Sequence, residues 1–115
     1  MKTNNNMKTN LNKVELIGYA GTDIKVNEFK KGSKMAHFSL GTHSSFKNKA
    51  GEWVNTTVWH RIVLWNENAE KAEKAVRRGK PISITGKLNY RSYETQTGEK
   101  RHLVEIIANN LDLVA

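Results

Sequence analysis

Aromatic and basic side chains are interleaved in three stretches of this 115-residue chain. An aromatic ring can stack on a planar base, and a Lys or Arg can pair with a phosphate, so this mixture suits single-stranded nucleic acid. The residues are Phe46, Lys47, Lys49 and Trp53 in the first stretch, Trp59, Arg61 and Trp65 in the second, and Lys87, Arg91 and Tyr93 in the third. To bind together, they need a fold that places them on a common surface.

Residues suited to catalysis or metal binding form no comparable pattern. The chain has two aspartates, Asp23 and Asp112, and its glutamates are scattered, whereas a metal-dependent nuclease needs clustered carboxylates. The four histidines lack a paired metal-binding spacing, and no Gly-rich phosphate loop is present. We therefore expect no enzymatic activity, no cofactor and no metal site.

Composition limits the class of protein. The chain carries 19 Lys and Arg against 11 Asp and Glu, a formal charge of +8, which points to a polyanionic partner. It has no cysteine, so a disulfide-built scaffold is excluded. No apolar run approaches the roughly 20 residues of a membrane-spanning helix, and no signal peptide is visible. These features predict a soluble, cytoplasmic domain without a membrane partner.

The composition of the sequence changes near residue 12. The first residues are polar and rich in asparagine, which predicts a flexible segment over 1–11. From there to residue 115, short apolar runs are separated by turn signals, which predicts one folded domain. Strands are predicted over 14–20, 35–42, 54–66, 82–93 and 102–108, with extended chain over 23–29 and one helix over 66–78 ended by Gly79. This order predicts an all-β protein, a five-stranded antiparallel barrel with one helix between the third and fourth strands.

Strand geometry divides the side chains between two faces, because successive residues point to opposite sides. If Ile62, Leu64, Leu88 and Tyr90 point into the barrel, the other face presents Trp59, Arg61, Trp65, Lys87, Arg91 and Tyr93. A single tryptophan on a strand more often belongs to a core or an interface. The joint pattern of rings and cations on two separate strands favours a surface on which bases stack.

Four segments resemble a known family. They are Asn12-Lys13-Val14-Glu15-Leu16-Ile17-Gly18, Phe38-Ser39-Leu40-Gly41-Thr42, Trp59-His60-Arg61-Ile62-Val63, and Arg78-Gly79-Lys80-Pro81-Ile82-Ser83-Ile84-Thr85-Gly86-Lys87-Leu88. In this order they resemble the bacterial single-stranded-DNA-binding protein family over residues 12 to 108. The resemblance implies an oligonucleotide/oligosaccharide-binding (OB) fold, a homotetramer, and sequence-independent binding of single-stranded DNA in replication, recombination and repair.

The resemblance also implies roles for individual residues. Phe46 matches a stacking aromatic of a loop, Trp59 and Trp65 match two on the central strand, and Tyr93 matches one on a long hairpin. His60 matches a histidine at the subunit interface. The candidate phosphate contacts are Lys13, Arg61, Lys87 and Arg91, and Trp53 is an additional loop aromatic.

The end of the chain departs from the family pattern. Family members commonly continue into a long linker and an acidic tip that recruits other proteins. This sequence ends at residues 110–115 without such a tip. It is therefore expected to bind DNA without recruiting partners by that route.

Two other functions stay open. A related OB module, primosomal or RNA-binding, would share the fold, and matched DNA and RNA oligomers would separate the two ligands. A protein-interaction module that uses the aromatic face would bind with little dependence on salt, whereas phosphate contacts weaken steeply as salt rises.

Overall fold

Six strands and one helix make up the computed structural model, which describes residues 10–114. The elements are β1 (Val14–Ala20), β2 (Lys25–Glu28), β3 (Lys34–Lys47), β4 (Trp53–Trp65), α1 (Glu67–Ala75), β5 (Pro81–Glu94) and β6 (Lys100–Leu113). Most of the segment predicted to be flexible, 1–11, lies outside the described residues. No helix in the described part of the chain is long and apolar enough to cross a membrane.

Five strands close into a barrel. The sheet order is β1-β5-β6-β4-β3-β2, and a further pairing of β1 with β3 closes the ring, with the short β2 added at the edge. The predicted five-stranded barrel with one helix is confirmed, and β2 is the segment predicted only as extended chain. All pairings are antiparallel except β4 with β6, where Ile62 lies opposite Ile106. One parallel pairing is unavoidable, because an odd number of strands cannot alternate direction all the way around a ring.

Large aliphatic side chains fill the barrel. The fully buried ones are Leu40, Ile62, Leu64, Ile82, Ile84, Leu111 and Val76. Each stabilises the fold by roughly 1.5–3 kcal/mol relative to an exposed position. The helix packs Ala69 and Ala72 on this core, and these small side chains let it approach closely.

The helix ends earlier than predicted. It stops at Ala75, because Val76 is extended (φ −80°, ψ 126°) and buries its side chain in the core. The Arg77 guanidinium caps the end of the helix by donating to the Val76 carbonyl at 2.7 Å and to the Glu73 carbonyl at 3.0 Å. Gly79, predicted as the helix stop, instead sits in a turn with φ 87°, closed by the Lys80 N–H donating to the Arg77 carbonyl.

Two long hairpins extend beyond the barrel. Strands β3 and β4 pair from Met35 opposite Trp65 to Lys47 opposite Trp53, and β5 and β6 pair out to Glu94 opposite Lys100. The prediction that Tyr90 points into the barrel is wrong, since its side chain is 70% exposed. It has the inward parity, but it lies opposite Val104 on the part of the hairpin that extends past the barrel, so it stays exposed.

Candidate nucleic-acid interface

The register of four strands places the predicted residues on one surface. Trp59 lies opposite Gly41, Val63 lies beside Ile107, and Ile107 lies opposite Lys87, so outward side chains continue from β3 through β4 and β6 to β5. We call this surface the outer face. Of the predicted residues it carries Trp59, Arg61, Trp65, Lys87, Arg91 and Tyr93. Their grouping on one face is confirmed, while contact with DNA stays a prediction.

The indole of Trp59 packs against the backbone of two glycines. Its side chain is 55% exposed, and its six-membered ring packs against Gly41 and Gly21. A Cβ at Gly41 would lie 2.8 Å from the ring, and one at Gly21 would overlap it. Tyr19 supports the ring edge-on, with centroids 6.1 Å apart and planes at 86°. The two glycines therefore let the indole settle on the barrel wall while much of its surface stays open.

Trp65 is the last residue of β4 and is 41% exposed. It lies beside Phe29, with ring centroids 6.1 Å apart and planes at 22°. An open cavity of about 310 Å³ lies against Trp65, with Val63 and Ile107 among its apolar lining and Arg91 on its polar side. A planar base could lie against the indole there.

Glu105 joins the two arginines of the outer face. It is 5% exposed, and among residues 10–114 it is the one charged side chain that is buried. Its Oε2 accepts from Arg61 Nε at 3.3 Å, and its Oε1 accepts from Arg91 Nε at 3.2 Å and Asn89 Nδ2 at 3.1 Å. Both arginines were predicted as phosphate contacts, and in the structure they already share a carboxylate.

A histidine lies beside this cluster. His37 Nδ1 is 3.4 Å from an Nη of Arg61. Burial lowers the pKa of His37, and the positive charges of Arg61 and Lys25 lower it further, against a smaller opposing effect of Glu105. The neutral ring can then accept a hydrogen bond from the guanidinium, which a protonated ring could not.

The β3–β4 hairpin divides the candidate residues of the stretch 46–53 between its two faces and its loop. Lys47 lies opposite Trp53, with its ammonium 6.0 Å from the ring centroid. Phe46 lies opposite Val54, so it points to the other face of the hairpin. The predicted loop over 46–53 is shorter than expected and spans 48–52, where it holds Lys49. The structure therefore brings Lys47 and Trp53 together, and places Phe46 behind them.

Lys13 lies next to the outer face, and its ammonium already forms an ion pair. It precedes β1, and the side chain of its neighbour Asn12 forms two 2.9 Å hydrogen bonds with the backbone of Leu88. This pairing sets Lys13 opposite Lys87, one step beyond the pair of Val14 and Gly86. The ammonium of Lys13 also forms an exposed ion pair with Glu15 at 2.8 Å.

His60 lies on the opposite face from Trp59, as its parity predicted. Its Nε2 lies 3.0 Å from Thr42 Oγ1, and burial lowers its pKa. It lines a cleft of about 170 Å³ together with Leu88 and Val104. The described part of the chain contains no group of three or more His, Asp or Glu that could hold a metal ion.

Comparison with known proteins now adds to this geometry. Residues 11–114 match the Single-strand binding protein family. This chain belongs to that family. It is 34% identical over 109 residues to Single-stranded DNA-binding protein 1 of Chlorobaculum tepidum, a match that covers 94% of this chain and 67% of the relative.

Two solved structures of single-stranded DNA-binding proteins share the fold of this chain. The Plasmodium falciparum SSB in complex with ssDNA has a TM-score of 0.80 and 32% identity, covering 94% of this chain and 96% of that one. A deletion mutant of the Thermus aquaticus single-stranded DNA binding protein has a TM-score of 0.79 and 25% identity over 91% of this chain. This chain spans about half of the Thermus chain, 51% of its length. The predicted OB fold is confirmed by these similarities.

Three features of the interface were missed in the sequence. Gly21 makes room for the Trp59 ring, but it is not the register partner of Trp59, which is Gly41, so the strand pattern did not signal this contact. Phe29 was not considered, although it precedes two lysines in a turn. Glu105 gave no sequence signal, because its partners come from strands distant in the chain.

Proposed function

We propose that this protein binds single-stranded DNA without sequence preference, by stacking bases on the rings of the outer face. The observation that carries this proposal is the joint placement of half-exposed indoles and guanidiniums on that face, with Trp59 in the middle of β4 and Trp65 at its end. Family membership and similarity to an SSB solved with ssDNA support it. The formal charge of +8 supplies the attraction to a polyanion.

The mechanism is passive. Unpaired bases stack on exposed rings, and each stacked base contributes roughly 1–3 kcal/mol. Lys and Arg follow the phosphates, and every base offers a π-face, so binding does not depend on sequence. Duplex DNA is rejected because its bases already stack on each other. The role is that of a binding protein rather than an enzyme, protecting single strands in the cytoplasm during replication, recombination and repair.

We propose that the opposite face assembles the protein into a homotetramer. Where β4, β5 and β6 extend past the barrel, the inward parity presents Val58, Tyr90 and Val104, all of them exposed in the single chain. His60 has the same parity as these residues, and the family resemblance implies a histidine at the subunit interface. Covering these apolar groups with other copies would remove them from water without blocking the outer face.

Sedimentation tests the assembly. His60→Ala is expected to weaken it, so that the mass becomes concentration-dependent at low micromolar protein. Trp59→Ala is the matched control, because its side chain lies on the other face of the same strand and should leave the mass unchanged. A His60→Ala protein that keeps the oligomeric mass of the unaltered protein at every concentration contradicts the role of His60.

Tryptophan fluorescence tests the binding itself. The protein is titrated with a thymine homopolymer at low and high salt, with a matched duplex and a matched RNA as controls. Quenching by the DNA strand that weakens with salt and is absent with duplex is the expected result. Absence of quenching at both salt concentrations refutes stacking on the indoles, and stronger quenching by RNA indicates the related RNA-binding function.

A further inference from the structure

The turn between β2 and β3 presents an aromatic ring next to the outer face. The Phe29 N–H donates to the Ser33 carbonyl at 2.8 Å, and the Gly32 N–H donates to the Phe29 carbonyl at 2.9 Å. These two bonds fix the backbone of Phe29 in a tight turn. Its side chain nevertheless stays 46% exposed and lies almost parallel to Trp65.

The geometry of this pair leaves ring surface for a ligand. A centroid distance of 6.1 Å with planes at 22° describes an offset pair rather than a closed face-to-face stack. If Phe29 served only to pack Trp65, we would expect its ring to be largely buried. Instead both rings keep nearly half of their surface in water, so that two π-faces lie side by side.

Two unpaired cations follow Phe29. Lys30 and Lys31 are exposed, and within residues 10–114 neither forms a salt bridge. Lys34, on the other side of the turn, differs, because its ammonium is held by Glu73 at 3.0 Å. The turn thus combines an exposed ring with cations, as the outer face does, but in the described part of the chain its two lysines are free of the carboxylate contact that holds Arg61 and Arg91.

We propose that Phe29, Lys30 and Lys31 extend the DNA interface past Trp65 by one or two nucleotides. The ligand is the next part of the same single strand, with a base on Phe29 and phosphates on the two lysines. This inference rests on the proposed function, since it needs a strand that already contacts Trp65. It adds a subsite on the β2–β3 turn, which lies outside the four strands of the outer face.

Phe29→Ala and Phe29→Leu together test the ring. Leucine keeps an apolar contact with Trp65 but has no π-face, so loss of a base platform should affect both variants. We expect each to weaken binding of a labelled thymine oligomer about five- to tenfold, measured by anisotropy. We also expect the length of poly(dT) covered per protomer to fall by one or two nucleotides. Ile17→Ala, which removes another exposed apolar side chain on β1, is the control and should change neither.

The double variant Lys30→Glu/Lys31→Glu tests the proposed phosphate contacts without altering either ring. If both lysines contact phosphates, the slope of log affinity against log salt should become shallower by roughly 1.4, about 0.7 for each contact on a single strand. An unchanged slope, or wild-type affinity in Phe29→Leu, overturns the subsite. If Trp59→Ala still weakens binding in that case, the proposed function stands. If the unaltered protein does not bind the oligomer, the proposed function itself fails.

Discussion

Replacing Glu105 should lower stability and at the same time strengthen DNA binding at low salt. Removing one partner of a buried ion pair costs about 3–5 kcal/mol when the remaining charge is left without water. Here the side chains of Arg61 and Arg91 are 31% and 46% exposed, so water can reach both guanidiniums. We therefore expect Glu105→Ala to lower the free energy of unfolding by about 1–3 kcal/mol.

The gain in DNA affinity follows from the same contacts. Glu105 neutralises one of the two positive charges that it holds, and its removal frees Arg61 and Arg91 for phosphates. Each additional phosphate contact on a single strand steepens the salt slope by about 0.7, so we expect a change of roughly 0.7 to 1.4. Glu105→Gln removes the charge but keeps the size and one acceptor oxygen, and should steepen the slope with a smaller loss of stability.

The assay combines denaturant unfolding with oligomer binding at several salt concentrations. Asp112→Asn is the control, because it removes one negative charge from an exposed pair with Lys71, on the helix side of the barrel. It should leave the slope unchanged. A Glu105→Gln protein with an unchanged or shallower slope would refute the reasoning, since Glu105 would then hold the arginines in their DNA-binding orientation rather than compete for them.

Two further substitutions probe the outer face. Trp59→Ala is expected to cost about 1–3 kcal/mol of binding while the fold remains, because the ring is half exposed and sits on the barrel wall. Titration and thermal unfolding measure both effects, and a protein that no longer folds would show that the ring is core. Burial lowers the pKa of His37 below its ordinary 6.5, so the unfolded chain binds more protons and stability should fall as pH drops below about 6.5. His37→Gln should reduce the loss of unfolding free energy between pH 7.5 and 5.5, and an equal loss in both proteins would exclude this role.

The fold was largely predictable because its signals are local. The alternation of Ile62 and Leu64 with their neighbours identified β4, and the same parity correctly assigned Trp59 and Arg61 to the outer face. Tyr90 was misassigned for a reason that no local pattern contains. Parity says which face a side chain is on, while the register of β5 against β6 decides where the barrel stops.

Only the aromatic and basic residues of the candidate interface could be predicted from the sequence. Rings and cations on one strand face can be counted in the sequence, but their partners cannot. Glu105 is 44 residues from Arg61 and 14 from Arg91 along the chain, and the three meet only when β4, β5 and β6 pair. The seat of Trp59 on Gly21 likewise depends on how β1 ends against β3.

The Glu105 cluster explains how the outer face can gather cations before DNA is present. Two guanidiniums held by opposite oxygens of one carboxylate repel each other, and two like charges about 8 Å apart repel by about 2 kcal/mol at an effective dielectric of 20. Each guanidinium contacts the carboxylate, with its Nε 3.2 to 3.3 Å from an oxygen, and opposite charges about 4 Å apart attract by roughly 4 kcal/mol in the same medium. The carboxylate thus offsets the repulsion in the free protein. A phosphate that arrives finds the guanidiniums Arg61 and Arg91 already in place and competes with Glu105 for them, so this residue stabilises the empty face at the expense of the bound one.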